Sequence, residues 1–272
     1  MDEEKEKVRP KSQGCLVVCI LVMAAVLFVL VNLCIVKVRL VLNPPAISSA
    51  TADEPTQAVM AKPYLVVIDP GHQAQANREK EPIGPGAREE KAKVTSGAQG
   101  VETGQEEHEL NLQVSLKLQQ VLLDRGYQVA LTRTTADVDL SNAQRAQMAN
   151  DLQADVFIRI HANSDEDAEV SGVVTLCQTP EDPYDTGMYY ESQALSQFVL
   201  EGMAKATGAK MQPVLETDTM TGINWCKVPV TIVEMGYLSN PEEDRLLQTE
   251  DYQQKLAHGI ANGIDLFFVD EI

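Results

Sequence analysis

The chain holds four histidines, and two of them end apolar runs. Tyr64–His72 reads Y-L-V-V-I-D-P-G-H, a buried strand that stops at a sharp Asp-Pro-Gly turn and presents His72 at its tip. Val156–His161, V-F-I-R-I-H, delivers His161 in the same way, and Val230–Glu234, V-T-I-V-E, delivers Glu234. Glu107 shares one helical face with Leu110, Val114, Leu118 and Val121. Its carboxylate therefore looks inward near a helix start, where the dipole favours an anion. Two histidines and one glutamate form a common ligand set for catalytic zinc, with the fourth position left to water. Zinc draws the pKa of that water towards ~7 and polarises a carbonyl. A further carboxylate must then carry the proton to a leaving amine, and Glu234 suits that acid–base role.

The neighbouring polar residues have plainer readings beside the chemical ones. His108 points about 100° away from Glu107 around the helix; it reads as solvated and is the substitute ligand should Glu107 not serve. His258 lies on an amphipathic helix and reads as structural. Asp69 either forms the turn with Pro70 and Gly71 or supports a ligand histidine. Asn163, in H-A-N-S, either orients substrate or closes a turn. Arg133 and Arg145 are more than surface charges only if they pair with acids near the site. No G-x-S-x-G elbow, no G-x-x-x-x-G-K-[ST] loop and no H-E-x-x-H helix is present.

The elements that must position these groups alternate. A helix from Glu107 stops at Gly126, and Tyr127–Thr132 reads as a strand. Ser141-x-x-Gln144 is a capping box that opens a helix to about Leu152. Gly172–Cys177 reads as a strand towards a sheet edge, and Tyr190–Ala206 as a helix. Asn240-Pro241-Glu242-Glu243 starts another helix, with Asn at the N-cap and Pro at the first position. A last helix from about Asp251 turns Leu256, Ile260, Ile264 and Phe267 inward. Strands alternating with helices predict one α/β domain with a mostly parallel central sheet flanked by helices. The ends of such strands are where ligands gather. Between His72 and Glu107 lies a long polar insertion, Gln73–Gln105, without apolar periodicity; it reads as a loop bordering the site.

Ahead of the domain, Cys15–Val36 is a 22-residue stretch with one polar side chain, Asn32. At ~1.5 Å per residue it spans ~33 Å, the depth of a bilayer core. Four basic residues precede it and two follow, which places the N-terminus inside and the rest outside. The expected organisation is a cytoplasmic tail 1–14, an uncleaved transmembrane anchor 15–36, a linker 37–61 and a catalytic domain 62–272. A cleaved signal peptide is the rival, but its apolar core runs only ~7–15 residues. A net charge of −18 argues against nucleic acid as a partner. In the domain only Cys177 and Cys226 remain, too few for a disulfide framework; whether they pair is open.

Taken together the motifs resemble the zinc-dependent N-acetylmuramoyl-L-alanine amidases of the amidase_3 class, which are cell-wall hydrolases. The carriers are I-D-P-G-H at 68–72, E-x-x-x-N-L at 107–112 and G-Y-x-V-x-L-T-R at 126–133. R-A-x-M-A-N at 145–150, I-H-A-N-S at 160–164 and V-E-M-G-Y-L-S-N-P-E-E-D at 233–244 complete them. The resemblance implies zinc on His72, Glu107 and His161, with Glu234 as the catalytic carboxylate. It implies hydrolysis of the amide joining N-acetylmuramic acid to L-alanine in peptidoglycan, and the expected anchor, with the domain outside the membrane, agrees with that substrate. Two other readings stay open: a zinc peptidase acting within the stem peptide, and a non-catalytic wall-binding regulator. The insertion is longer than in compact members, so a gate released by an activating protein is a further expectation.

Overall fold

The computed structural model describes residues 61–184 and 186–270. The expected tail and anchor, and the linker up to residue 60, lie outside the described residues. Among the described residues no helix is long and apolar enough to cross a membrane.

The strands are β1 (Leu65–Pro70), β2 (Asn77–Pro82), β3 (Glu90–Val94), β4 (Gln128–Leu131), β5 (Val156–Asn163), β6 (Val174–Cys177), β7 (Leu215–Glu216) and β8 (Val230–Tyr237). The helices are α1 (Glu107–Asp124), α2 (Asn142–Asp151), α3 (Tyr189–Thr207), α4 (Thr221–Asn224), α5 (Pro241–Leu247) and α6 (Glu250–Asp270). Six strands make one sheet in the order β4-β1-β5-β8-β6-β7. The first four run parallel; β6 runs antiparallel to β8, and β7 parallel to β6. The mostly parallel α/β domain expected from the alternation is the one observed.

Each face of the sheet has its own core. Val66, Ile68, Ile158, Ile160 and Val233 pack on α1, α3 and α6 through Leu110, Leu118, Leu195, Met203, Ile260 and Phe267. On the other face Val67, Phe157, Val230 and Ile232 pack on Ala146 and Ala149 of α2 and Ile223 of α4. Coverage on both faces explains why these strands read as continuous apolar runs. Burying each large side chain contributes about 1.5–3 kcal/mol.

The helix starts match their sequence signals. Ser141 and Gln144 form the reciprocal capping box of α2, and Asn240 accepts from the Glu242 and Glu243 amides to cap α5. The insertion departs from expectation. It folds into an antiparallel hairpin, β2 on β3, with Lys80 opposite Ala92 and Glu81 opposite Lys91. Backbone pairing and three inward side chains, Glu81, Ile83 and Val94, hold it, too few to write a periodic pattern. The two-residue β7 and four-residue α4 are too short to leave any pattern.

Candidate metal centre and cleft

His72 follows directly on β1 and the Gly71 turn, in a left-handed conformation with φ of 59°. His161 comes from the C-terminal end of β5, and Glu107 is the first residue of α1. The tertiary fold brings these three together. Glu107 Oε1 lies 3.2 Å from His72 Nε2 and 3.1 Å from His161 Nδ1. One ligand atom from each residue falls within 4.8 Å of the others. His72 Nδ1 faces the Thr95 carbonyl at 3.0 Å, which turns Nε2 towards the centre. The Ala98 amide donates to Glu107 Oε2 at 2.7 Å, and Asn111 Nδ2 donates to Oε1 at 3.2 Å. Thr95 and Ala98 both belong to the insertion, so this segment holds two of the three groups in place. Gly97, at φ of 84°, lies so close that a Cβ there would sit 2.7 Å from Glu107 Oε2.

Behind the centre a buried arginine lattice grips the Asp-Pro-Gly-His turn. Asp69 is fully buried and pairs with Arg145 at 2.8 Å and Arg159 at 2.9 Å, and Thr132 donates to it as well. Burial alone would raise the Asp69 pKa, but Arg145 and Arg159 outweigh it and hold the carboxyl well below the usual range. Arg145 also donates to the Pro70 and His72 carbonyls, at 2.9 and 3.0 Å. Arg133 donates to the carbonyls of Pro70, Gly71 and His108. Thus Asp69 supports the ligand turn, and Arg145 pairs with it, as the sequence left open. Arg133 works through backbone carbonyls. Burial pushes its pKa down to about 10.

His161 and Glu234 are neighbours across β5 and β8. With His72 they line a cleft of about 440 Å³. One wall is the hairpin, through Lys80, Glu90, Lys91, Ala92 and Thr95; the opposite wall is the Thr219–Gly222 stretch. The hairpin therefore borders the centre as a wall rather than filling it. Burial first, and the Glu107 charge second, push the Glu234 pKa up to about 8 against an opposing pull from Arg159.

The residues present suit a divalent cation of the zinc type. Two imidazole nitrogens and a carboxylate are the donors it takes. Burial lowers the His161 pKa to about 4, so its ring is neutral. Burial opposes ionisation of Glu107, but in the metal-free chain the His161 and His72 rings prevail and hold its pKa well below normal, and the Ala98 and Ala162 amides donate to the carboxylate whatever the state of those rings. Neutral imidazole and ionised carboxylate are the states a metal requires. Glu234 Oε2 is buried on the cleft lining with no protein partner, and so is His161 Nε2, which packs against Gly71. Such orphans are rare and mark places where an ion or water belongs.

Other candidates stand elsewhere. Asn163 Oδ1 accepts from the Ser164 amide at 2.8 Å, and Asn163 is not among the residues lining the cleft. His108 is buried, not solvated, because the end of the insertion pairs with the start of α1 and Arg133 binds its carbonyl. His258 is exposed and contacts Gln254. Cys177 and Cys226 are buried and free. Sequence reasoning passed over Arg159. Its signal was a lone charge inside V-F-I-R-I-H, since a buried charge needs a partner.

Residues 66–265 match the family model Amidase_3, described as N-acetylmuramoyl-L-alanine amidase. The uncharacterised protein YqiI of Bacillus subtilis is 32% identical over 64% of this chain and 79% of its own length. The N-acetylmuramoyl-L-alanine amidase Rv3717 of Mycobacterium tuberculosis is 25% identical over 87% of this chain and 98% of its own. Among solved structures, the catalytic domain of the amidase CwlV from Bacillus (Paenibacillus) polymyxa var. colistinus superposes with a TM-score of 0.61 and 30% identity. It covers 76% of this chain and 98% of that domain.

Proposed function

This chain belongs to the Amidase_3 family, the N-acetylmuramoyl-L-alanine amidases that hydrolyse peptidoglycan, and from that premise we propose how its residues carry the reaction. The scissile bond joins the lactyl carbonyl of N-acetylmuramic acid to the nitrogen of L-alanine. His72, Glu107 and His161 would hold zinc, and the observation that carries this reading is their convergence within 4.8 Å. When bound, zinc supplies Lewis acidity towards the carbonyl oxygen and towards water.

The chain's own groups do the rest. The cleft between the hairpin and Thr219–Gly222 holds the stem peptide across the strand ends. Glu234, on the strand next to His161, takes a proton from the attacking water as that oxygen bonds to the lactyl carbon. It then gives the proton to the alanine nitrogen as the C–N bond breaks, leaving a lactyl carboxylic acid and a free amine. The Asp69–Arg145 lattice keeps the His72 turn rigid through both transfers.

The test is digestion of purified peptidoglycan with zinc and with a chelator, the released ends identified by mass spectrometry. Zinc-dependent release of stem peptides with free N-terminal L-alanine is expected. Glu234→Gln should lower kcat by about 10²–10⁴-fold while metal content stays unchanged. New termini inside the stem would move the chain to the peptidases. We also propose that residues 15–36 anchor the chain in the cell membrane with the domain outside. The apolar length of that run and the excess of basic residues before it support this.

A further inference from the structure

Arg159 does more than neutralise Asp69. Its side chain is 4% exposed. Nε is committed to Asp69 and Nη2 to Asn142 Oδ1 at 2.8 Å. Nη1 has no hydrogen bond among the described residues, and it is the atom nearest to Gly222, which with Arg159 lines the cleft. A Cβ on Gly222 would fall 2.0 Å from Nη1, so the Gly222 backbone packs on that edge of the guanidinium and only glycine fits there. Lys80 and Lys91 line the same cleft from the hairpin, and neither is in an ion pair among the described residues. Lys91 Nζ donates to the Thr219 carbonyl at 2.7 Å and so reaches across the cleft. Glu90 and Glu234 are the acids on its lining. Three cations in one cleft are unexpected in a chain of net charge −18.

Arg159 precedes His161 by two residues on the same strand face, about 6.6 Å along β5. In an extended stem peptide the second residue's α-carboxylate lies two residues from the scissile carbonyl, about 6.6–7.2 Å. We propose that Arg159, flanked by Lys80 and Lys91, forms a carboxylate subsite selecting stem peptides whose second residue keeps a free α-carboxylate over those amidated there. This rests on the amidase reading for the identity of the substrate. Arg159 Nη1 donates to a carboxylate oxygen as one ion to another, whereas an amide offers the same cation a neutral carbonyl acceptor and no charge to pair with it or with the two lysines.

The probe is a pair of ligands, N-acetylmuramoyl-L-alanyl-D-glutamate and N-acetylmuramoyl-L-alanyl-D-isoglutamine. Their binding to the zinc-loaded full chain carrying Glu234→Gln is measured by calorimetry. The glutamate form should bind about tenfold tighter, equivalent to ~1.4 kcal/mol. The ratio should fall towards one in Arg159→Gln. Because Arg159 is paired in the core, Lys80→Gln with Lys91→Gln provides a second arm, in which the preference should shrink and lose its salt dependence. Equal affinities, or no binding of either ligand at millimolar concentration, would overturn the subsite. Peptidoglycan digestion by the unsubstituted chain runs alongside. Cleavage with equal affinities removes the subsite alone, whereas a preference without cleavage removes the amidase reading and keeps the subsite.

Discussion

Asp69 is fully buried and does not line the cleft, yet two guanidinium groups and the ligand turn depend on its charge. Asp69→Asn would leave Arg145 and Arg159 buried without a counter-charge. Breaking a buried pair from one side typically costs about 3–5 kcal/mol, and the denaturant midpoint should fall accordingly. Because its native pKa is depressed, the contribution of Asp69 is complete above the ordinary carboxylate range and is lost only as pH drops through the native value. Glu234 has the opposite sign. In the metal-free chain its pKa is about 8 against an ordinary 4.5. The folded state therefore holds a proton that the unfolded state releases, and stability falls as pH rises between those values. His161, at about 4 against 6.5, stabilises with rising pH only below 6.5. Between pH 6.5 and 8 the Glu234 effect stands alone among these groups, on the order of 1–2 kcal/mol. Chemical denaturation of the metal-free chain at both pH values should show the decline, and Glu234→Gln should flatten it.

At the scale of elements, the insertion is tied to the centre it borders. A polar stretch of this length suggests a removable gate, but Thr95 and Ala98 within it bond two candidate ligands, and Glu81 accepts from the Ala143 amide at the start of α2. Excising Gln73–Gln105 should therefore cost metal affinity instead of freeing the site. Gly97→Ala isolates the same coupling. The left-handed backbone costs roughly 1–2 kcal/mol for a residue with a Cβ, and that Cβ would press on Glu107. Zinc competition against a chromophoric chelator should show at least about tenfold weaker binding, with helical content unchanged by circular dichroism. Restored affinity on excision would show that the segment masks the centre.

At the scale of the whole molecule, the apolar run before the domain and the acidic character of the chain make separate claims. If residues 15–36 anchor the chain, it should sediment with membranes, resist extraction by salt and alkali, and be released by detergent. Removing those residues should move it to the soluble fraction. A chain recovered shortened past residue 36 would favour the cleaved signal instead.

The order of strands and helices, the two capped helix starts and the places of His72, Glu107, His161 and Glu234 on their elements were legible because each has a local cause. A two-sided strand reads as an apolar run, a cap needs one side chain and one amide, and a histidine at a strand end interrupts the pattern it closes. The hairpin was not legible, because backbone pairing with few inward side chains writes no periodicity. Nor was the environment of Arg159: one residue at position 159 looks the same whether it meets solvent or Asp69, 90 residues earlier. Local sequence thus determined which groups stand at the ends of which elements. Only the tertiary structure decided which of them meet, because the register of β1, β5 and β8 sets their spacing and burial then requires each charge to find a partner.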